Sequence, residues 1–237
     1  GGSGTAGEPI QHTLLAKALA RRGYPVSMVT ADYGQQDGAT WHAVRTFKAF
    51  DRKAGLPLLR FIHPRWTGLW SALKRADADV YYTSCAGGIV GQIAMFCARH
   101  GRRFIFRVAS DSDCAPDTLL IQSCYWRDAR LYEYGLRRAS GVLSQSMRQQ
   151  QLLERNFGVR SSVVGMLVEP AVGRPQLRDR DIDALWVSNI RAVKRPDVLL
   201  EVAERLPDLA FHMVGGTVPG ELNCFESTRA QAAERGN

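Results

Sequence analysis

The sequence of 237 residues lacks the patterns that mark several classes of protein. Its five cysteines are scattered and no two of them form a C-x-x-C pair, which argues against a disulfide framework or a zinc knuckle and favours reduced thiols. No apolar stretch approaches the roughly 18 residues that a membrane span needs. No basic-then-apolar leader opens the sequence, and the histidines show no metal-ligand spacing. We therefore expect a cytoplasmic protein that binds no metal.

Basic residues are in excess, with 31 Lys+Arg against 23 Asp+Glu and a formal net charge of +8. Three kinds of partner suit this charge: nucleic acid, an anionic membrane surface, or phosphorylated small molecules. Because no nucleic-acid-binding motif accompanies the charge, we predict no nucleic-acid partner. A GC-rich genome that favours arginine would also explain the excess, and charge alone does not decide between these alternatives.

Short β-branched runs alternate with amphipathic helical stretches, a pattern typical of parallel βαβ units. The pattern predicts helices at residues 10–22, 66–75, 87–99, 125–138 and 147–156. It predicts strands at residues 25–30, 44–50, 78–84, 103–110, 141–146 and 161–166. Proline and charge replace the periodicity over residues 169–183, which we interpret as a linker. Two strands then follow at 184–189 and 209–216, with helices at 196–205 and 221–234.

These elements predict an α/β protein with two domains, residues 1–168 and residues 184–237. The second domain contains only two predicted strands, which is too little sheet to bury a doubly wound core. The first predicted helix follows no strand in the sequence as given. We therefore expect the chain to be the middle of a longer protein.

A glycine loop opens the chain, and Gly2, Gly4 and Gly7 match the G-x-G-x-x-G pattern. Such glycines let backbone N–H groups approach a diphosphate at a helix N-terminus, and Asp32 at the end of the next strand would hold a ribose. No strand precedes the loop, and GGSG is also a common engineered linker. A dinucleotide site and a phosphate-contacting loop without NAD both remain open.

Two carboxylates stand at the end of the strand predicted at residues 103–110. In open parallel sheets ligands bind outside the carboxyl ends of the strands, so Asp111 and Asp113 should face a cleft. One of these carboxylates could orient a hydroxyl group or act as a base. Equally, the segment could cap a turn before Pro116.

A basic loop follows the first strand of the second domain, which ends at Asn189. Arg191, Lys194 and Arg195 lie in this loop, and Pro196 opens the next helix at its first turn. Cations and free helix N–H groups in one place suit a pyrophosphate. The alternative interpretation is a solvated basic turn.

In its order of elements the chain resembles the GT-B glycosyltransferases of family four, which are retaining enzymes that use nucleotide-activated sugars. Residues 185–216, LWVSNIRAVKRPDVLLEVAERLPDLAFHMVGG, are similar to the first strand, loop, helix and strand of the family's C-terminal Rossmann-like domain. Residues 18–30 resemble the first helix and second strand of its N-terminal domain, and residues 137–158 resemble the end of that domain. The resemblance implies two Rossmann-like domains with parallel sheets, the second incomplete here.

The resemblance also implies site residues. Lys194 matches the lysine that binds the donor's diphosphate. The glycines matched to the donor site are Gly1, Gly2, Gly215 and Gly216. Ser188 and Asn189 stand where the family carries Gly-Arg, so one expected cation is missing and Arg191 could replace it. The donor would be a UDP- or GDP-sugar and no metal is implied, since Lys194 and helix N-termini would stabilise the leaving diphosphate.

The sequence thus predicts a retaining glycosyltransferase that acts on a glycan, lipid-linked or small-molecule acceptor. It would be cytoplasmic and peripheral at an anionic membrane, with Lys194, Asp111 and Asp113 as catalytic candidates. One alternative is an NAD(P)-dependent oxidoreductase that uses the loop of Gly2, Gly4 and Gly7. Another is a non-catalytic GT-B-like binding protein, because no histidine follows the strand before Asp111 and Asn189 stands where the family carries an arginine.

Overall fold

The computed structural model describes residues 7–51, 53–56, 59–117, 126–169, 173, 182–218 and 220–234. These residues divide into two compact units, 7–169 and 173–234. The helices of the first unit are α1 (Gly7–Arg21), α2 (Thr67–Ala76), α3 (Gly88–His100), α4 (Trp126–Arg138) and α5 (Met147–Phe157). Its strands are β1 (Val26–Thr30), β2 (Thr40–Trp41), β3 (Val44–Lys48), β4 (Val80–Ser84), β5 (Arg103–Arg107), β6 (Gly141–Ser144) and β7 (Ser162–Val163). The second unit contains β8 (Ala184–Val187), α6 (Pro196–Arg205), β9 (Phe211–Val214) and α7 (Leu222–Ala233).

The strands of the first unit form two sheets that are parallel apart from one hairpin. β4, β5, β6 and β7 run parallel in that order, and β1 pairs with β3 in parallel. The predicted parallel α/β architecture is confirmed. The sequence did not predict β2, which pairs antiparallel with β3 across a two-residue turn. His42 and Ala43 form that turn with positive φ angles of 47° and 62°, a backbone conformation usually supplied by glycine or asparagine.

Local sequence signals explain where the helices of the first unit begin and end. The Ser146 hydroxyl accepts a hydrogen bond from the Gln149 N–H at 3.2 Å and caps the start of α5. Gly158 and Gly101 end α5 and α3 in the left-handed conformation that glycine adopts at low cost. None of the helices among the described residues is long and apolar enough to cross a membrane.

The core of the first unit places two helix N-termini side by side. Buried side chains of β4, β5 and β6 pack with those of α2 to α5. α3 and α4 cross so closely that a β-carbon at Gly91 would meet the Leu131 carbonyl oxygen. A β-carbon at Gly88, the first residue of α3, would lie 2.9 Å from Asp128 Oδ1 near the start of α4. The beginnings of both helices therefore lie together beyond the carboxyl end of β4.

The second unit is built on one parallel pair of strands. β8 and β9 pair from Ala184 with Phe211 to Val187 with Val214. Beyond the pair, the Ile190 N–H donates to the Gly216 carbonyl at 2.9 Å. A β-carbon at Gly215 would collide with the Ser188 carbonyl oxygen, so this close approach requires glycine. A 3-10 turn (Ala192–Lys194) then leads into α6, which begins at Pro196 as predicted.

Candidate functional site

The predicted glycine loop is only partly visible. Three of its residues lie outside the described residues: Gly1, Gly2 and Gly4. Gly7 is the first residue of α1. The Asp32 carboxylate accepts a hydrogen bond from the Gly34 N–H at 2.8 Å and pairs with Lys48 Nζ at 2.8 Å. The Lys48 ammonium and the Gly34 N–H hold the pKa of Asp32 below its usual value, so this carboxylate is already engaged by the protein itself.

A polar cluster that sequence analysis missed lies at the carboxyl ends of two neighbouring strands. Glu8 and His12 lie one turn apart on α1. Ser84 and Arg107 end β4 and β5, where the parallel register pairs them. The Ser84 hydroxyl lies 2.7 Å from His12 Nε2 and 2.5 Å from Glu8 Oε2, and Arg107 Nη2 donates to both Glu8 oxygens at 2.8 and 3.0 Å. We call these four residues the strand-end cluster.

The hydrogen bonds of Ser84 fix the tautomer of His12. A hydroxyl has one proton to donate, and the Glu8 carboxylate accepts it. His12 Nε2 must then carry a proton and donate it to Ser84 Oγ. In the neutral ring this leaves Nδ1 as the unprotonated acceptor. The cluster therefore presents an imidazole nitrogen that can accept a proton or a hydrogen bond from a ligand hydroxyl.

We expect the pKa of His12 to lie below 6.5, mainly because burial disfavours the charged ring. The Glu8 carboxylate acts in the opposite direction, and the Arg107 guanidinium lowers the pKa further by a smaller amount. The unfolded chain would take up this proton near pH 6.5 and the folded chain only at lower pH. The contribution of His12 to stability is then complete above pH 6.5 and falls as the pH drops towards the folded pKa. A ¹⁵N NMR titration, with His12→Gln to identify the resonance, measures the pKa; a pKa above 6.5 would show that the attraction of Glu8 outweighs burial.

The two predicted carboxylates after β5 have different surroundings. They lie in a 3-10 turn (Asp111–Cys114). Asp113 is buried, accepts a hydrogen bond from the Ala109 N–H at 2.7 Å and another from the Ser110 hydroxyl at 3.2 Å, and burial raises its pKa. Asp111 is exposed and pairs with Arg148 at 3.2 Å. The bonds of Asp113 are those of a turn cap, so Asp111 is the more accessible of the two to a ligand.

The basic loop, residues 189–195, has fewer unpaired cations than its sequence suggests. Arg195 pairs with Asp197 through contacts of 2.7 to 3.0 Å, which neutralise one of the three cations. Lys194 is exposed at the end of the 3-10 turn, and no ion pair of its ammonium is found in the described part of the chain. Arg191 is half-buried and its Nε has no hydrogen-bond partner among the described residues. Asn189, half-buried, lies two residues beyond the end of β8.

The two sites differ in the chemistry that they offer. The strand-end cluster combines one carboxylate, one hydroxyl, one imidazole and one guanidinium, which suits a hydroxylated ligand. The basic loop presents Lys194 and Arg191 just before the N-terminus of α6, which suits phosphate. Among the described residues no group of three histidine, cysteine or acidic side chains could hold a metal ion.

Comparisons with known proteins bear on the fold and the family. A family model described as a glycosyl transferase 4-like domain matches residues 11–168. A UDP-glucosyltransferase from Polygonum tinctorium capable of glucosylating indoxyl, in complex with 3,4-dichloroaniline, has a similar structure, with a TM-score of 0.51, 14% identity, and coverage of 98% of this chain and 68% of its own. Apo UGT2 of Phytolacca americana, at 14% identity, has a TM-score of 0.49 and covers 92% of this chain and 65% of its own. No curated protein matches the sequence.

These comparisons confirm the predicted GT-B type of α/β fold. At 14% identity the Polygonum enzyme shows the fold alone. The chain spans about two thirds of the length of the two solved structures. A role for any individual side chain remains a prediction.

Proposed function

Because the chain belongs to the glycosyl transferase 4-like family, we propose that it is part of a retaining glycosyltransferase that takes its sugar from UDP- or GDP-sugar. The observation that carries this proposal is the basic loop. Lys194 and Arg191 lie between the end of β8 and the N-terminus of α6. When the bond between the sugar and the phosphate breaks, negative charge builds up on the leaving diphosphate, and fixed cations and N–H dipoles stabilise that charge most.

We further propose that Gly215 and Gly216 allow the nucleotide to approach the end of β9. The collision that a β-carbon at Gly215 would cause shows how little space this backbone leaves for a side chain. Asn189 stands beside this strand end and would contact the nucleotide. Gly1 and Gly2 keep the diphosphate role that the family resemblance gives them.

On the acceptor side we propose that the strand-end cluster and Asp111 bind the acceptor's hydroxyl groups. His12 Nδ1 can accept a hydrogen bond, and the Asp111 carboxylate is exposed at the same edge of the parallel sheet. Asp113 would act indirectly, by holding the turn that carries Asp111. The acceptor would be a glycan, a lipid-linked sugar or a small molecule.

The predicted domain limits remain part of the proposal: residues 1–168, a linker at 169–183, and residues 184–237. Two contacts near residue 168 support the first limit. The Gln11 side-chain amide donates to the Leu167 carbonyl and accepts from the Leu167 N–H, both at 2.8 Å, and Lys17 pairs with Glu169 at 3.3 Å. These contacts tie the end of the first domain to α1.

Thermal unfolding of the full chain with added nucleotides tests the donor class. We expect UDP or GDP to raise the melting temperature, because a ligand at about 100 times its Kd stabilises the folded state by about 2.7 kcal/mol. NAD(P) should have no effect, since the Asp32 carboxylate needed for a ribose is already paired with Lys48. Protection by NAD(P) without protection by UDP or GDP would favour the oxidoreductase instead. Protection by UDP or GDP without any sugar transfer would favour a binding protein.

A further inference from the structure

Large apolar side chains are exposed in two segments of the first unit. One segment is the connection between β3 and α2, where Leu56, Leu59 and Ile62 are 68%, 57% and 61% exposed. The other is the first turn of α4, where Trp126 is 71% exposed. Isolated exposed side chains need no explanation, but several close together mark an interaction site.

A direct contact joins the two segments. The Arg127 guanidinium of α4 lies 3.4 Å from the ring centroid of Phe61, which opens a segment (Phe61–Trp66) that is kinked at His63 and precedes α2. Arg130 lies over the Trp126 ring at 5.5 Å. The segments therefore form one face, which we call the apolar–basic surface and define by Leu56, Leu59, Arg60, Ile62, Trp126 and Arg130.

The charge of this surface is positive. Residues 53–66 contain Lys53, Arg60 and Arg65 and no carboxylate. The first turns of α4 add two arginines and one carboxylate, and that carboxylate, Asp128, pairs with Arg127 at 3.2 Å. An excess of cations around exposed leucine, isoleucine and tryptophan complements an anionic surface that has an apolar interior.

The apolar–basic surface lies on the same edge of the first unit as the strand-end cluster. The connection after β3 leaves the carboxyl end of a parallel strand, and the first turn of α4 packs beside Gly88 at the start of α3. Gly88 follows Ser84, the last residue of β4, by four positions. A partner docked on this surface would sit next to the acceptor-side residues.

We propose that the apolar–basic surface docks the protein on an anionic lipid bilayer. Leucine, isoleucine and tryptophan would enter the interface between head groups and acyl chains, while Arg60 and Arg130 bind lipid phosphates. The inference rests on the proposed function in that it names the membrane at which that enzyme meets a lipid-linked acceptor.

Co-sedimentation of the full chain with lipid vesicles tests the docking. We expect binding at low salt to vesicles that contain phosphatidylglycerol, and little binding to pure phosphatidylcholine. Arg60→Gln and Arg130→Gln should each weaken the partition coefficient roughly fivefold. Leu59→Ser with Ile62→Ser should weaken binding at every salt concentration, because the lost interaction is apolar. All four side chains are exposed or half-buried, so the variants should keep the melting temperature of the parent.

The charge-matched control is Arg21→Gln or Arg99→Gln, each made singly, because these exposed arginines lie in the last turns of α1 and α3, at the opposite edge. Equal loss of binding in this control would overturn the proposal, as would unchanged binding in the surface variants. Self-association that disappears in Leu59→Ser with Ile62→Ser, without a change in vesicle binding, would assign the surface to a second copy of the chain instead.

Protection against thermal unfolding by UDP or GDP, measured without lipid, separates the docking proposal from the proposed donor site. Protection without vesicle binding overturns the docking alone. Vesicle binding without protection overturns the donor site alone.

Discussion

Replacement of Glu8 by alanine is expected to lower the free energy of unfolding by about 3–5 kcal/mol, because it leaves a buried charge without its partner. Arg107 is only 4% exposed, and its pairing with Glu8 is the one ion pair in which it takes part among the described residues. The same substitution removes the acceptor of the Ser84 hydroxyl proton. The urea midpoint, with the m-value held common, measures the change.

An exposed ion pair provides the control for this prediction. Glu133 and Arg137 pair one turn apart on α4 at 2.9 Å, with side chains 48% and 50% exposed. Glu133→Ala should cost no more than about 0.5 kcal/mol, because water replaces the lost partner. Glu8→Leu combined with Arg107→Met should recover most of the stability lost in Glu8→Ala, since it removes both charges together. A Glu8→Ala variant as stable as Glu133→Ala would show that the pair contributes little.

The strand-end cluster could not be read from the sequence as a single pattern, although each part left a signal. Glu8 and His12 have the four-residue spacing of one helix face, and both precede the apolar stripe of α1. Ser84 ends the strand predicted at residues 78–84 and Arg107 lies within the strand predicted at residues 103–110, but their proximity depends on the register between β4 and β5. Periodicity predicts that a strand exists and not which residue of its neighbour it faces. The helix, both strands and their parallel direction were predictable, whereas the contact was not.

The segment after β5 shows the same limit at a smaller scale. Its sequence allowed either two ligand-facing carboxylates or a capped turn. In the structure Asp113 is the turn cap, and Asp111 remains exposed beside Arg148. Which of these two alternatives forms depends on where β5 ends. β5 stops at Arg107, and this places the Ala109 N–H within reach of the Asp113 carboxylate. Strand ends are the part of an element that sequence patterns define least.

In the second unit the sequence predicted the elements well and the electrostatics less well. β8, α6 and β9 lie where expected, because Pro196 and the paired glycines mark their limits. The number of available cations was overestimated, since Arg195 turns to the carboxylate of Asp197 two positions away. Such a short-range pair depends on the left-handed conformation of Arg195 (φ 51°), which no periodicity reveals. Lys194 is thereby left as the exposed cation of the 3-10 turn.

Lys194→Ala is accordingly expected to reduce sugar transfer about 10²–10³-fold, the usual loss when one preorganised group that stabilises developing negative charge is removed. The effect should fall mainly on kcat, because the diphosphate gains its extra charge only as the bond to the sugar breaks. Release of UDP or GDP from the nucleotide-sugar by the full-length protein measures it. Lys194→Arg should retain part of the rate, since the charge remains while its position changes.

The matched control for this substitution is Lys74→Ala, an exposed lysine near the end of α2 in the first unit, which should leave the rate unchanged. If the rate of Lys194→Ala is too low to measure, UDP or GDP binding still distinguishes the outcomes. Weaker binding in Lys194→Ala than in Lys74→Ala supports a contact with the diphosphate. Equal binding together with equal rates would mean that the lysine faces solvent and that the diphosphate is stabilised by Arg191 and the N–H groups of α6 instead.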